Sequence, residues 1–232
     1  MKLIIKQKEP TYLRNHRLKT GTDYESFQRD IGKGDIQPPT GFRKFLLEEQ
    51  GYLCAYCMRR IPHVHMEKGV ERDDMKTEHL VPQTASHSMR YKLDITYSNM
   101  FACCMGGKGK KEAFETCDTR KKEHFIFINP TNPQHIKTIN YGFDGEILST
   151  NRICENDLNK TLNLNEGNLK KAREAIYTTI ARKTISDLKL LLDRKAKNDY
   201  LNKQINGWLQ AKDGKYREYC MVAVWYLQSK IR

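Results

Sequence analysis

Polar residues dominate the first forty positions, with Tyr12, Tyr24 and Phe27 as the few apolar anchors. This pattern predicts an arm that is irregular or weakly helical and docks on something else, with a partner as one candidate. The stretch "GFRKFLLEEQGYLCAYC" then places Phe42, Phe45, Leu46 and Gln50 on one face of a short amphipathic helix, with Gly51 as its C-cap and a turn entered at Cys54. A polar loop runs to Asp74, followed by strands in "MKTEHLVP" and "DITYSNMFACC". A loop rich in glycine and lysine leads to "CDTRKKE", read as the opening of a helix or turn. "HFIFINP" alternates like a strand, and "IKTINYGFDGEILST" reads as a hairpin turning at Asp144-Gly145. After that the period becomes helical. Leu169, Ala172, Ile176 and Ile180 form a stripe with Asn165 as candidate N-cap, and further helices follow in "TISDLKLLLDRKAKNDYLNKQINGWL" and "GKYREYCMVAVWYLQSKI". The fold class expected is α+β, divided into a docking arm (1–40), a cysteine-bearing core with its hairpin (41–159) and a helical region (160–232).

The chain of 232 residues is long enough for a sizeable core, and its 38 % hydrophobic content excludes wholesale disorder. No apolar run approaches the ~20 residues of a membrane span, so the expected location is the cytoplasm. The formal charge of +13 points to an acidic partner, nucleic acid before others. Lys108, Lys110, Lys111, Arg120, Lys121 and Lys122 cluster around Cys117 and are the candidate contacts to backbone phosphates. Tyr200, Trp208, Tyr216, Tyr219, Trp225 and Tyr226 crowd the C-terminal helices, mainly as core, with a docking face as the minor reading.

Seven cysteines without a secretion signal favour a metal over a disulfide framework. Cys54 and Cys57 form a C-x-x-C pair. Cys103 and Cys104 are adjacent and point opposite ways in an extended chain, so one of them, taken as Cys104, joins Cys117 to complete a tetrahedral structural zinc site. Cys154 and Cys220 stand apart and read as small buried residues.

The strand "KTEHLVPQ" spends neighbouring positions on Glu78 and His79. A neutral imidazole can take a proton from water near pH 7, and a carboxylate can hold a hard divalent cation, with Asp118 as its partner. The order "TEHLVPQ", Asn99 in "YSNMFACC", then "CDTRK" resembles the HNH endonuclease family with its ββα-metal core. The resemblance implies His79 as general base, Glu78 and Asp118 as ligands of Mg²⁺ or Mn²⁺, Asn99 as the residue that steadies the loop and orients His79, and Cys54, Cys57, Cys104 and Cys117 around zinc. Asp118 departs from the His or Asn usual at that place. Over a longer span the chain looks like the HNH nuclease subunit of Septu anti-phage systems, including the version carried by retrons. That likeness implies a nucleic-acid substrate, DNA or tRNA, an ABC/SMC-like ATPase partner and, in a retron, a reverse transcriptase with its multicopy single-stranded DNA. The competing reading is a zinc module that binds nucleic acid without cutting it; a thiol-disulfide oxidoreductase at Cys54 and Cys57 is a third.

Overall fold

The computed structural model describes residues 1–32, 41–61, 65–67, 70–72, 74–88 and 92–231. It is an α+β fold in which the described residues form three two-stranded antiparallel sheets among short and long helices. The arm is more ordered than its polarity predicts. It forms α1 (Thr11–Leu18) and α2 (Tyr24–Gly32). Tyr24, Phe27 and Ile31 recur at helical spacing and pack inward, and the Phe27 ring meets Phe42 edge-on at 5.4 Å. The arm thus gains from α3 (Gly41–Glu49) the apolar partner it lacks alone. The end of the arm, 33–40, lies outside the described residues.

Gln50 follows α3 on its buried face. Its amide donates to the carbonyls of Leu53 and Ala102 and accepts from the Ala102 N–H, fastening the helix to a strand. Part of the loop expected before Asp74 pairs instead as β1 (His65–Glu67) with β2 (Val70–Arg72). β3 (Met75–His79) pairs antiparallel with β4 (Met100–Cys104), so that Met75 faces Cys104 and His79 faces Met100. α4 (Gln83–Ser88) follows β3. The strand expected from Asp94 onward begins only at Met100, because 93–99 coil into two short 3₁₀ turns. α5 (Cys117–Lys121) closes this region against β4.

The segment "HFIFINP" is not a strand. The N–H groups of Phe127 and Ile128 both donate to the Asp157 carboxylate, at 2.6 and 2.9 Å, which satisfies them without a neighbouring strand. After α6 (Pro133–Lys137), β5 (Ile139–Tyr141) and β6 (Ile147–Ser149) form the expected hairpin, with Gly145 at φ +79° in its turn. A Cβ at Gly145 would lie 2.0 Å from the Lys170 carbonyl oxygen, so only glycine lets the hairpin approach the next helix. α7 (Arg152–Asn156) runs into a π turn over Asp157–Thr161.

α8 (Gly167–Lys189) is longer than expected and passes through Thr184, which the sequence assigns to a second helix. Glu166, not Asn165, caps it; Asn165 instead bonds both backbone groups of Ile147. α9 (Arg194–Leu209) starts at an Asp193 cap, and α10 (Cys220–Gln228) packs on both α8 and α9 through Ile180, Leu201, Ile205, Val224 and Leu227. Among the described residues, no helix is long and apolar enough to cross a membrane.

Candidate active site and metal centre

The four cysteines come together from three places. Cys54 and Cys57 flank a tight turn closed by Met58 N–H to the Cys54 carbonyl, with Met58 at φ +62°. Cys104 ends β4, and Cys117 opens α5 at φ +55°. Gly106 permits this approach, since a Cβ there would lie 2.1 Å from the Thr116 carbonyl oxygen. The Cys117 N–H donates to the Leu162 carbonyl at the end of the π turn. Sulfur separations are 3.8 Å for Cys54–Cys117, 3.8 Å for Cys57–Cys104 and 3.9 Å for Cys104–Cys117, and all four sulfurs are buried within 4.8 Å of one another. A disulfide needs about 2 Å. A tetrahedron of thiolates around zinc with bonds of ~2.3 Å has edges of about 3.8 Å. Burial would raise the Cys54 thiol, but hydrogen bonds from neighbouring sulfurs hold it well below the usual range; hydrogen bonding with Cys104 pushes Cys57 and Cys117 well above theirs. Four thiolates at this separation require a dication between them. The residues fit a structural metal, and Cys103, also buried, stands outside the cluster. Cys154 and Cys220 are buried singly, as expected.

Glu78, His79 and Asp118 line one cleft of about 370 Å³ together with Lys76, Gln83 and Lys121. β3 supplies Glu78 and His79 at its end, and α5 supplies Asp118 one residue after Cys117 of the four-cysteine cluster. Glu78 is 1 % exposed. Burial, then a hydrogen bond to Asp118, hold it well above the carboxylate range, outweighing the Lys121 ammonium at 2.9 Å. Burial would raise Asp118 too, but the hydrogen bonds from Glu78 and from Lys76 at 2.8 Å lower it. The two acids thus meet in one cleft with opposite shifts, a pair of oxygen donors that a hard cation could bridge.

His79 is set in a definite tautomer. Its Nε2 lies 2.8 Å from the Asp94 carbonyl, which can only accept, so Nε2 carries the hydrogen. Nδ1 keeps its lone pair and faces the Gln83 amide at 3.0 Å. Burial lowers the imidazole from 6.5 to about 4, so it is neutral at pH 7. The Tyr24 ring of the arm meets it edge-on at 4.5 Å, and the Asp94 side chain caps the N–H of Tyr24 at 2.8 Å. Asn99 works one step behind: it accepts from the Val81 N–H at 2.7 Å and donates to the carbonyls of Val81 and Leu93. It fixes the backbone on both sides of the imidazole without touching it.

Sequence reasoning missed Tyr56, Tyr24, Asp94 and Gln83. Tyr56 lies between the two cysteines of the C-x-x-C turn and its hydroxyl donates to Glu78 at 2.6 Å, so the metal knuckle directly supports the acid pair. A tyrosine inside the knuckle was the available signal. Lys121, expected at the surface, is turned inward; its ammonium donates to the His79 carbonyl at 2.8 Å as well as pairing with Glu78. Asp118 and Lys121 stand at i and i+3 of α5 and so share a face. Lys108, Lys110, Lys111 and Lys122 are exposed, and Arg120 is half-buried.

No family model matches the chain. Over 123 residues it is 30 % identical to a protein of Vibrio cholerae serotype O1 biovar El Tor named "Retron Vc95 putative HNH endonuclease". The match takes in 51 % of this chain and 52 % of that one, so the chain spans about half the length of the curated relative it matches. This similarity supports an HNH endonuclease family assignment, in agreement with the order of Glu78-His79, Asn99 and Cys117-Asp118 along the chain.

Proposed function

We propose that the protein is a metal-dependent HNH endonuclease that hydrolyses nucleic-acid phosphodiester bonds. The observation that carries this is the meeting, in one cleft, of the His79 imidazole, held through Nε2 by the Asp94 carbonyl, with the carboxyl groups of Glu78 and Asp118. β3, β4 and α5 are read as the ββα-metal core. Glu78 and Asp118 would hold Mg²⁺ or Mn²⁺, which when bound neutralises charge developing on the leaving oxygen. His79 takes the proton from the attacking water at Nδ1, the position now held by the Gln83 amide, while the Asp94 carbonyl keeps the ring oriented. Lys121 and Tyr56 hold Glu78, and Asn99 holds the turn that carries the Asp94 carbonyl. Zinc on Cys54, Cys57, Cys104 and Cys117 would be structural.

The similarity to a retron protein supports a role as the nuclease effector of an anti-phage defence complex, of retron or Septu type, in the cytoplasm. Its partners would be an ABC/SMC-like ATPase and, in a retron, the reverse transcriptase with its multicopy single-stranded DNA. The substrate would be DNA or tRNA.

Plasmid DNA and total tRNA are incubated with the protein in Mg²⁺, alone and with the products of neighbouring genes. His79→Ala should keep fold and zinc yet lose cleavage by a factor of roughly 10² to 10⁴, the usual worth of a general base. Normal cutting by His79→Ala would defeat the assignment. Glu78→Ala and Asp118→Ala should each weaken Mn²⁺ binding in titration calorimetry.

A further inference from the structure

A second basic feature lies outside the cleft, built by Arg60 at the end of the cysteine knuckle and by the segment joining α9 to α10. Lys212 and Lys215 pair across a tight turn whose tip, Asp213-Gly214, has φ of +50° and +73°. With Arg60, Tyr216 and Arg217 they line an open groove of about 630 Å³. It shares no lining residue with the Glu78–His79–Asp118 cleft.

The manner in which these charges are held is unusual. The Lys215 ammonium lies 5.0 Å from the centre of the Tyr52 ring, the Arg217 guanidinium 4.8 Å from Trp208, and the Lys2 ammonium 4.0 Å from Tyr216, which forms the groove wall. A ring face attracts a cation through its quadrupole but has no net charge to cancel it. Among the described residues no carboxylate forms an ion pair with Lys2, Lys212, Lys215 or Arg217, and Asp213 is the one acid of the lining, exposed at the turn tip. The wall is rigid. Arg60 donates to the carbonyls of Gly51 and Tyr216, and the Tyr216 ring is packed on bare backbone, since a Cβ at Gly51 would lie 2.2 Å from it. The groove thus presents Arg60, Lys215 and Arg217 held by carbonyls and rings, with Lys212 beside them and Asp213 as the one acid of the lining.

We propose that this groove binds the phosphate backbone of nucleic acid, as a track separate from the hydrolytic cleft. A protein partner would be anchored by exposed apolar or aromatic faces, and here the ring faces are covered by cations. Fixed positive charge along an open groove suits a polyanion, whose bound counterions are released on contact. The proposal holds whether or not the cleft cuts.

Binding of the full chain to a labelled single-stranded DNA of about 20 nucleotides, its duplex and the matching RNA is followed by fluorescence anisotropy, without added divalent cation, over roughly 50 to 200 mM salt. Lys212→Glu/Lys215→Glu/Arg217→Glu should weaken binding at least about tenfold at mid-range salt and lower the slope of log K against log salt by about 2 to 3. The Gln triple variant should give a smaller loss in the same direction, and it decides the matter if the Glu triple fails to fold. Wild-type affinity and slope for all three probes in a folded triple variant would overturn the proposal. So would polyglutamate displacing the probe as well as unlabelled DNA at equal charge, which would make the groove a site for an acidic protein.

Discussion

The cleft and the groove are both rich in basic residues, yet they treat them oppositely. Around the cleft, Lys76 pairs with Asp118, Lys121 with Glu78, and Arg120 and Lys122 with Glu112, at 2.8, 2.9, 2.9 and 3.6 Å. In the groove, Lys215 and Arg217 rest on aromatic rings and keep their charge. A cation beside an acid is a structural part of the site; it positions the carboxylate and contributes little net field. A cation on a ring is available to a polyanion. Counting lysines along the chain cannot separate these cases. It places the phosphate contacts at 108–122, where Lys108, Lys110 and Lys111 on the glycine-rich loop stay exposed but Lys121 is committed inward.

The strongest way to break the comparison is to remove what the two regions share. The cysteine turn supports the cleft through Tyr56 and the groove through Arg60. On the proposed zinc site, Cys117→Ser should abolish metal binding, which in small zinc domains amounts to about 10–16 kcal/mol, as much as the stability of a typical domain. Elemental analysis should find no zinc, and the cooperative melt should be lost or fall by more than about 10 °C. Full zinc with an unchanged melt would remove Cys117 from the site.

Lys121→Met separates the regions. It strips the cleft of a buried ammonium with two partners, at a cost of about 3 kcal/mol in denaturant unfolding, since breaking a buried pair from one side is expensive. Anisotropy with single-stranded DNA should remain at the wild-type value. Equal loss of DNA binding would show that the cleft, not the groove, carries affinity.

A third test uses pH. His79 takes up its proton near 6.5 when unfolded and only near about 4 when buried. Below 6.5 the unfolded chain binds more protons, so the native state loses stability as pH falls toward 4. At pH 5 this amounts to about 2 kcal/mol. The drop between pH 7 and pH 5 should therefore be about 2 kcal/mol larger for the wild type than for His79→Gln. Parallel curves would mean an accessible, ordinary histidine.

The smallest effect expected is that of Tyr56→Phe, which deletes one hydrogen bond to Glu78 and should cost about 1 kcal/mol, or roughly fivefold in Mn²⁺ affinity. An unchanged affinity would make Tyr56 a packing residue only.

Much of this site was legible in the sequence because the chemistry is carried by short motifs. The C-x-x-C turn, Glu78-His79 and Cys117-Asp118 are each local, and β3, β4 and α5 bring them together. Alternation along a strand says only that one of Cys103 and Cys104 joins the cluster, and the family resemblance, counted from Asn99, favours Cys104. What was not legible depends on distant pairing. Tyr24 reaches His79 across more than fifty positions; the pattern marks it as an apolar anchor of the arm but not as a neighbour of the imidazole. The strand expected at 124–130 has the right alternation, but Asp157 satisfies its N–H groups from thirty residues away. The first long helix was cut short at Thr184 because propensity does not reveal that Asp193 is the better start.

The hydrogen bond from the Cys117 N–H to the Leu162 carbonyl shows that the working unit reaches past the motif. All residues of the motif lie between 54 and 121, yet the backbone that sets Cys117, and with it Asp118, is braced from beyond the hairpin. Tyr24 braces the other side from the arm. A fragment trimmed to the motif would keep every chemical group and lose the supports that aim them. The cysteine turn is braced from further still, since the Tyr216 and Tyr219 N–H groups donate to the carbonyls of Gly51 and Met58, so the minimal unit to express, graft or swap between relatives extends from the arm through α10.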